Sequence, residues 1–215
     1  EVARLRILKA AHEGKRFALQ DAVTFQYPKR IQSLEKELQS LQMDLDRRNQ
    51  AMEVQPGFAI TLQGKVYEKH KEAGEVLRGI IEGVTAFTRH EVGMYKGFQV
   101  FVQKDMMEPV LFLQGEKEYS VELKSSDSGN MVRMENRLNA LDKAVEDVQK
   151  EIKTCENEIK NAKQEYAKPF PYEELLKENI TRQMEIDAEL EIKDQEECVE
   201  VQEETKNLPC QTAVR

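Results

Sequence analysis

The chain has 215 residues and a net charge of -8 from 32 basic and 40 acidic side chains, with 40% apolar residues, 7% aromatic residues and no Trp. That length admits one or two domains, and so few aromatics suit elongated helices better than one large globular core. No run of about 18 apolar residues exists to form a transmembrane helix, and the opening Glu1-Val2-Ala3-Arg4-Leu5-Arg6 is too charged for a signal peptide, so no membrane partner is expected. The chain lacks an initiator Met and enters in a running helical pattern, which predicts a piece of something longer.

Residues 2 to 26 read as a helix through Val2, Leu5, Leu8, Leu19 and Val23, weakened in the middle by His12-Glu13-Gly14-Lys15. Pro28 lacks an amide hydrogen and biases Tyr27 away from helical angles, so a kink belongs there. A seam at Ile31, Leu34, Leu38, Leu41 and Leu45 then runs to about Met52, and Pro56-Gly57 ends the first helical arm, residues 1–56. The next segment, 57–128, reads as a β-β-α-β-β-β-β module. Residues 58–62 and 65–67 form a hairpin around Gln63-Gly64, and a helix from Lys71 to about Phe87 follows. Strands at Arg89 to Tyr95, Phe98 to Lys104, Pro109 to Gln114 and Glu118 to Lys124 complete an antiparallel sheet with its single helix on one face.

Asn130 is the expected N-cap of a long return helix, 129–168. Its apolar residues Met134, Leu138, Leu141, Val145, Val148, Ile152, Cys155, Ile159, Ala162 and Tyr166 alternate steps of four and three, which is the spacing of a coiled coil. Pro169-Phe170-Pro171 stops it. A short C-terminal helix occupies 169–191, and beyond it the apolar content is too low to fold, so 192–215 is expected to be an acidic disordered tail. The fold class is therefore α+β: a long antiparallel helical hairpin carrying an inserted sheet module. The seam of residues 134–166 is expected to pack on that of residues 31–45, and a homodimer through the coiled coil is the other arrangement such seams allow.

Between Glu185 and Lys206 lie ten acidic residues and two lysines, which accounts for the whole net charge and leaves 30 acids and 30 bases elsewhere. A neutral body with an acidic tail gives no global electrostatic reason to bind nucleic acid. Cys155, Cys198 and Cys210 make no CxxC pair, which predicts reduced cytosolic thiols without a metal or redox role. His12, His70 and His90 lack partner spacing, and Gly57 to Gly64-Lys65 lacks both the spacing and the Ser or Thr of a phosphate loop. No catalytic, cofactor-binding or metal-ligating residue is predicted. The remaining candidate is a nucleic-acid contact on the sheet: Lys65, Arg89, Lys96 and Lys104, interleaved with Tyr67, Tyr95, Phe98 and Phe101, with Tyr95 and Phe98 as stacking partners. Exposed edge lysines that discourage sheet aggregation are the alternative.

The phrases EVARLRILKA (1–10), YPKRIQSLE (27–35), KEAGEVL (71–77), VGMYKGFQV (92–100), GNMVRMENRLNAL (129–141) and AKPFPYEELL (167–176), in that order, resemble the C-terminal region of very large bacterial proteins. Those proteins are carried by conjugative elements and phages, and join a Swi/Snf-type DEAD/DEAH helicase to, often, an adenine-specific DNA methylase. The resemblance covers about residues 1–190. It implies a bacterial cytoplasmic origin, a DNA-processing parent, and upstream helicase and methylase domains of the same polypeptide as partners. The family's ATP-binding motifs and its methylase Asn-Pro-Pro-Tyr motif are absent, so no family catalytic residue carries over. The expectation is a noncatalytic accessory or scaffold domain that contacts DNA or the motor core. A structural coiled-coil or chaperone-like protein is the alternative, and an enzyme in its own right ranks third.

Overall fold

The computed structural model describes residues 1–104 and 108–206, with side chains through residue 192; Met106 of the expected turn at 106–108, the Cys198 side chain and Cys210 lie outside the described residues. The chain divides into two compact units, residues 25–159 and residues 1–24 with 160–215, so the boundaries drawn from sequence at 56/57 and 128/129 fall inside the larger unit. The fold is α+β.

In the larger unit, two-residue turns set the sheet. Gln63-Gly64 and Lys96-Gly97 both have positive φ at each position (48° and 79°, 49° and 81°), the backbone shape that matches the right-handed twist of paired strands. They close β1 (Ile60–Leu62) onto β2 (Lys65–Tyr67) and β3 (Arg89–Tyr95) onto β4 (Phe98–Lys104). With β5 (Pro109–Gln114) and β6 (Glu118–Glu122) the strands form one antiparallel sheet in the order β2-β1-β3-β4-β5-β6. A bulge between Glu91 and Gly93 lets the β1 backbone come close, and an added Cβ at Gly93 would meet the Thr61 carbonyl oxygen at 1.8 Å.

Alternation then sorts the faces. Val100 and Val102 face Leu113 and Leu111, which face Tyr119 and Val121, and all six are buried. Two helices cover this face where one was expected. Helix α3 (His70–Gly83) brings Ala73 and Leu77, and α4 (Asp127–Asn139) brings Met131, Met134 and Leu138. Helix α3 stops short of the expected Phe87 because Gly79 and Gly83 weaken its last turn. Val84 is already extended, and Phe87 sits at φ 62° with its amide donating to the Lys104 carbonyl.

The return helix also differs from expectation. It pauses at Ala140 (ψ -7°), separating α4 from α5 (Leu141–Tyr166) without disturbing the apolar spacing. Its N-cap is Ser126, whose Oγ accepts from the Gly129 amide, one turn before Asn130. Asn130 is instead buried, pairing both ways with the Lys124 backbone at 2.8 Å and so tying α4 to the end of β6.

Helix α2 (Tyr27–Val54) follows a π-helical stretch at Ala22–Gln26, the local rearrangement that accommodates the missing amide of Pro28. It runs antiparallel to α5 within this unit, with Arg48 bonded to Asp142 near one end and Arg30 to Glu151 toward the other. Leu34 and Leu41 of the α2 seam and Val145 and Cys155 of the return seam are buried, whereas Met134 and Leu138 lie on α4 over the sheet, so α2 meets only part of the seam expected at 134–166. Two polar residues share that buried side of α2. Asp44, fully buried, accepts from the amides of Glu116 (2.7 Å) and Lys117 (2.9 Å) in the β5–β6 turn and from the Tyr119 hydroxyl (2.8 Å). Arg48 donates to both oxygens of Asp142 (2.7 and 3.1 Å) and to the Leu138 carbonyl (3.0 Å) at the α4–α5 junction. Burial, reinforced by the bond to Asp44, raises the Tyr119 hydroxyl pKa above its ordinary range. The Arg48 hydrogen bond holds the Asp142 carboxyl below its own.

In the smaller unit, α1 (Val2–Asp21) packs on α6 (Glu173–Lys206) and on the last turns of α5. Leu5 and Leu176 are buried, Lys9 pairs with Glu173 at 2.9 Å, and the Arg16 guanidinium lies 4.7 Å from the Tyr166 ring centroid. Helix α6 continues to Lys206, past the expected end at 191 and into the segment expected to be disordered from 192. The Glu-rich sequence lacks a face to bury, yet Glu, Gln and Lys are good helix formers, so low apolar content excludes packing without excluding a helix. Residues 207–215 lie outside the described residues.

Asp44→Ala leaves two turn amides and a buried hydroxyl without their acceptor, and is expected to lower unfolding free energy by on the order of 3 kcal/mol in a denaturant titration; a wild-type midpoint would show the turn does not depend on this carboxylate. For Asp142, a folded pKa below the unfolded one means that its contribution is present above about pH 4 and is lost as the pH falls through the folded value. Asp142 is largely exposed, so Asp142→Asn should cost under about 1 kcal/mol at pH 7, with the difference from wild type shrinking as the pH falls below about 4 in urea melts.

Candidate contact surface on the open face of the sheet

The strand alternation that buries Val100 and Leu111 turns their neighbours the other way. On β4 these are Gln99, Phe101 and Gln103, and on β5 Val110, Phe112 and Gln114. Phe101 stands directly opposite Phe112, and Phe112 opposite Ser120, so the two rings form a cross-strand pair at the middle of the face. Arg89 of β3 reaches over them, its guanidinium 4.0 Å from the Phe112 ring centroid and 5.5 Å from that of Phe101. Its Nη1 donates to Glu118 Oε2 at 2.7 Å, and that bond holds the Glu118 carboxyl below its usual range.

Neither α3 nor α4 covers this side, and both rings are only half-buried. One corner is bordered by the end of α2, where Ala51 and Val54 meet Thr61 and Met94 around an open groove of about 480 Å³. The strand residues of the face carry Arg89 against the exposed Glu91, Glu118 and Glu122 and so are net negative, while Arg47 and Lys96 line the groove at the corner.

The nucleic-acid site expected from sequence is not assembled. Tyr95 (2% exposed) and Phe98 (0%) belong to the core and cannot stack on bases, which corrects their assignment. Tyr95 lies beside Phe58, while Phe98 meets Tyr119 edge-on, and burial raises the Tyr95 hydroxyl pKa. Lys65 lies on the edge strand β2 over the Tyr67 ring. Lys96 sits in the β3–β4 turn, where its Nζ donates to the carbonyls of Gln55 and Gly57 and thereby caps the end of α2; partial burial lowers its pKa. Arg89 and Lys104 lie toward the opposite end of the sheet, beside Gln103 and Pro109. The four basic groups therefore form no single cluster, Arg89 and Lys104 sharing one end of the sheet but not one face.

Phe112 is absent from the contact expected from sequence, in which Phe98 and not Phe101 is the stacking partner. The signal was present: residues 98 and 101 are three apart on one strand and cannot share a face, and Gln on both sides of Phe101 two residues apart marks the wetter side.

Other chemistry-bearing residues are engaged in packing. His70 stacks on Phe58 with ring centroids 3.9 Å apart and hydrogen-bonds Glu135 at 3.1 Å, while His12 leans on Phe170. Among the described residues no group of three His, Cys, Asp or Glu could hold a metal ion, and no helix is long and apolar enough to cross a membrane. Comparison with protein-family models, curated proteins and solved structures finds no match for the chain.

The two faces should respond differently to the same truncation. Phe98→Ala removes a fully buried ring and is expected to cost about 3–5 kcal/mol in chemical denaturation, whereas Phe112→Ala on the open face should cost about 1 kcal/mol. Equal losses would mean that the open face is as enclosed as the core.

Proposed function

We propose that the chain is a noncatalytic accessory domain of a mobile-element helicase/methylase polypeptide, and that the open face of its sheet is a protein-contact surface for the upstream domains. The observation that carries this is the Phe101–Phe112 pair, half-exposed at the centre of a face ringed by Gln, Ser and Thr and bearing net negative charge. An aromatic centre with a polar rim is the composition of a protein interface. A nucleic-acid groove needs clustered cations to displace the counterions of the phosphate backbone, and here Arg89 on the face is already paired with Glu118. The ordered phrases from residue 1 to 190 support the choice of parent. The buried ionisable residues Asp44 and Arg48 support the scaffold reading, because both are spent on holding secondary-structure elements together.

A titration of labelled single- and double-stranded DNA at about 50 mM salt is expected to show no saturable binding. Hydrogen exchange on the chain mixed with the separately expressed helicase or methylase domain of its parent should show protection concentrated at residues 99–103 and 110–114. Saturable, salt-dependent DNA binding lost in a Phe101→Ala/Phe112→Ala variant would replace the protein contact by a nucleic-acid one.

A further inference from the structure

Helix α1 carries two stripes with coiled-coil spacing. The first, Val2, Leu5, Lys9, His12, Arg16 and Leu19, faces inward in the smaller unit, where Leu5 is buried and Lys9 and Arg16 meet Glu173 and Tyr166. The second, Ala3, Ile7, Ala10, Gly14 and Phe17, advances by four, three, four and three residues, and every member is exposed. Ile7 is 70% and Phe17 71% exposed, so the two largest side chains of the stripe are largely uncovered among the described residues. Single exposed apolar residues are ordinary; a periodic line of them along one helix marks a contact.

We propose that this second stripe is the seam of a homodimer in which α1 packs antiparallel on α1 of a second copy. The occupant and its direction follow from the flanking charges. Arg6 and Glu13 are seven residues apart and so lie on the same flank of the stripe, and neither has an ion-pair partner among the described residues. Antiparallel pairing with Ile7 against Ala10 of the second copy sets Arg6 beside Glu13 of the second copy, and by the two-fold symmetry does so twice. Parallel pairing would set Arg6 and Glu13 against Ala11 and Ala18 instead, leaving both charges unanswered. Ala10 and Gly14 let the helix backbones approach closely, and a Cβ at Gly14 would meet nothing within 4 Å in the chain itself, so the space at the seam is free. Phe17 then reaches over the first turn of the second copy. The contact spans about four helical turns, an area at the low end for a specific interface, so the dimer is concentration-dependent. It uses a surface distinct from the open sheet face and does not rest on the function proposed for that face.

Sedimentation equilibrium of the full chain between about 1 and 200 µM tests this. The wild type is expected to show a monomer–dimer equilibrium, and Ala10→Glu, at an exposed position, should remain monomeric with unchanged helicity by circular dichroism. Arg6→Glu and Glu13→Arg should each weaken the dimer about tenfold, because each turns two attractive pairs into two repulsive ones. The double variant Arg6→Glu/Glu13→Arg should restore the affinity. A chain that stays monomeric throughout, or a dimer that survives Ala10→Glu, would overturn the proposal; failure of the double swap to restore association would overturn the antiparallel arrangement.

Discussion

Two charged side chains one helical turn apart on α2 determine how the larger unit is assembled. Asp44 and Arg48 occupy the buried side that Leu34 and Leu41 begin, and neither spends its charge on the other. Asp44 satisfies the amides of the β5–β6 turn, and Arg48 satisfies the carbonyl left open where α4 ends and the carboxylate of Asp142 that begins α5. Buried charge is costly unless its hydrogen bonds are met, and each is tolerated here because it replaces several hydrogen bonds that water would otherwise supply. The neighbouring residues are fitted to the same contact. An added Cβ at Gly115 would sit 2.1 Å from the Asp44 carboxylate and 2.6 Å from the Phe98 ring, so this corner admits only glycine. Sheet, α2 and the α4–α5 junction are thus fixed by polar contacts within an otherwise apolar interface, which gives them one register where apolar seams alone would permit sliding.

Much of the fold was legible before any coordinates, and the parts that were not share a cause. The strand boundaries of β3, β4 and β5 coincide with those read from alternation, because glycine turns punctuate the sequence at Gly97 and Gly115. The seams of α2 and α5 were likewise readable from spacing. What failed were readings that needed a tertiary partner. Asn130 looked like a cap because caps are polar and precede apolar runs, yet it is a buried bridge to Lys124. The burial of Asp44 and Arg48 is not anticipated from sequence, although Arg48 falls three residues beyond Leu45 and so continues the seam, where a polar residue signals a specific buried partner. Tyr95 and Phe98 were assigned to a surface by composition, and strand parity reverses that assignment for Phe98.

The surfaces that remain differ in chemistry. The open sheet face is aromatic at its centre and net negative along its strands, with Arg89 neutralised by Glu118. The outer stripe of α1 is narrow, built of small residues with Ile7 and Phe17 projecting, and flanked by charges of both signs. The first suits a broad partner that brings its own polar groups, and the second suits a helix of matching period.

The sequence separation of the contacts made by α2 bears on how the protein is born. Apart from β1 and β3, which α3 separates, sheet partners lie close along the chain and are joined by short turns, so the β3–β6 meander can form as soon as it is made. Besides Arg47 and Asn49 on the same helix, the partners of Asp44 lie 72 to 75 residues downstream and those of Arg48 90 to 94. At a synthesis rate of roughly 5–20 residues per second, α2 leaves the ribosome several seconds before those distant partners exist. During that interval its leucines are on display together with two charges met only by Arg47 and Asn49 of the same helix, and those charges, which oppose burial in any wrong place, keep the helix from settling on a partner that cannot complete their hydrogen bonds.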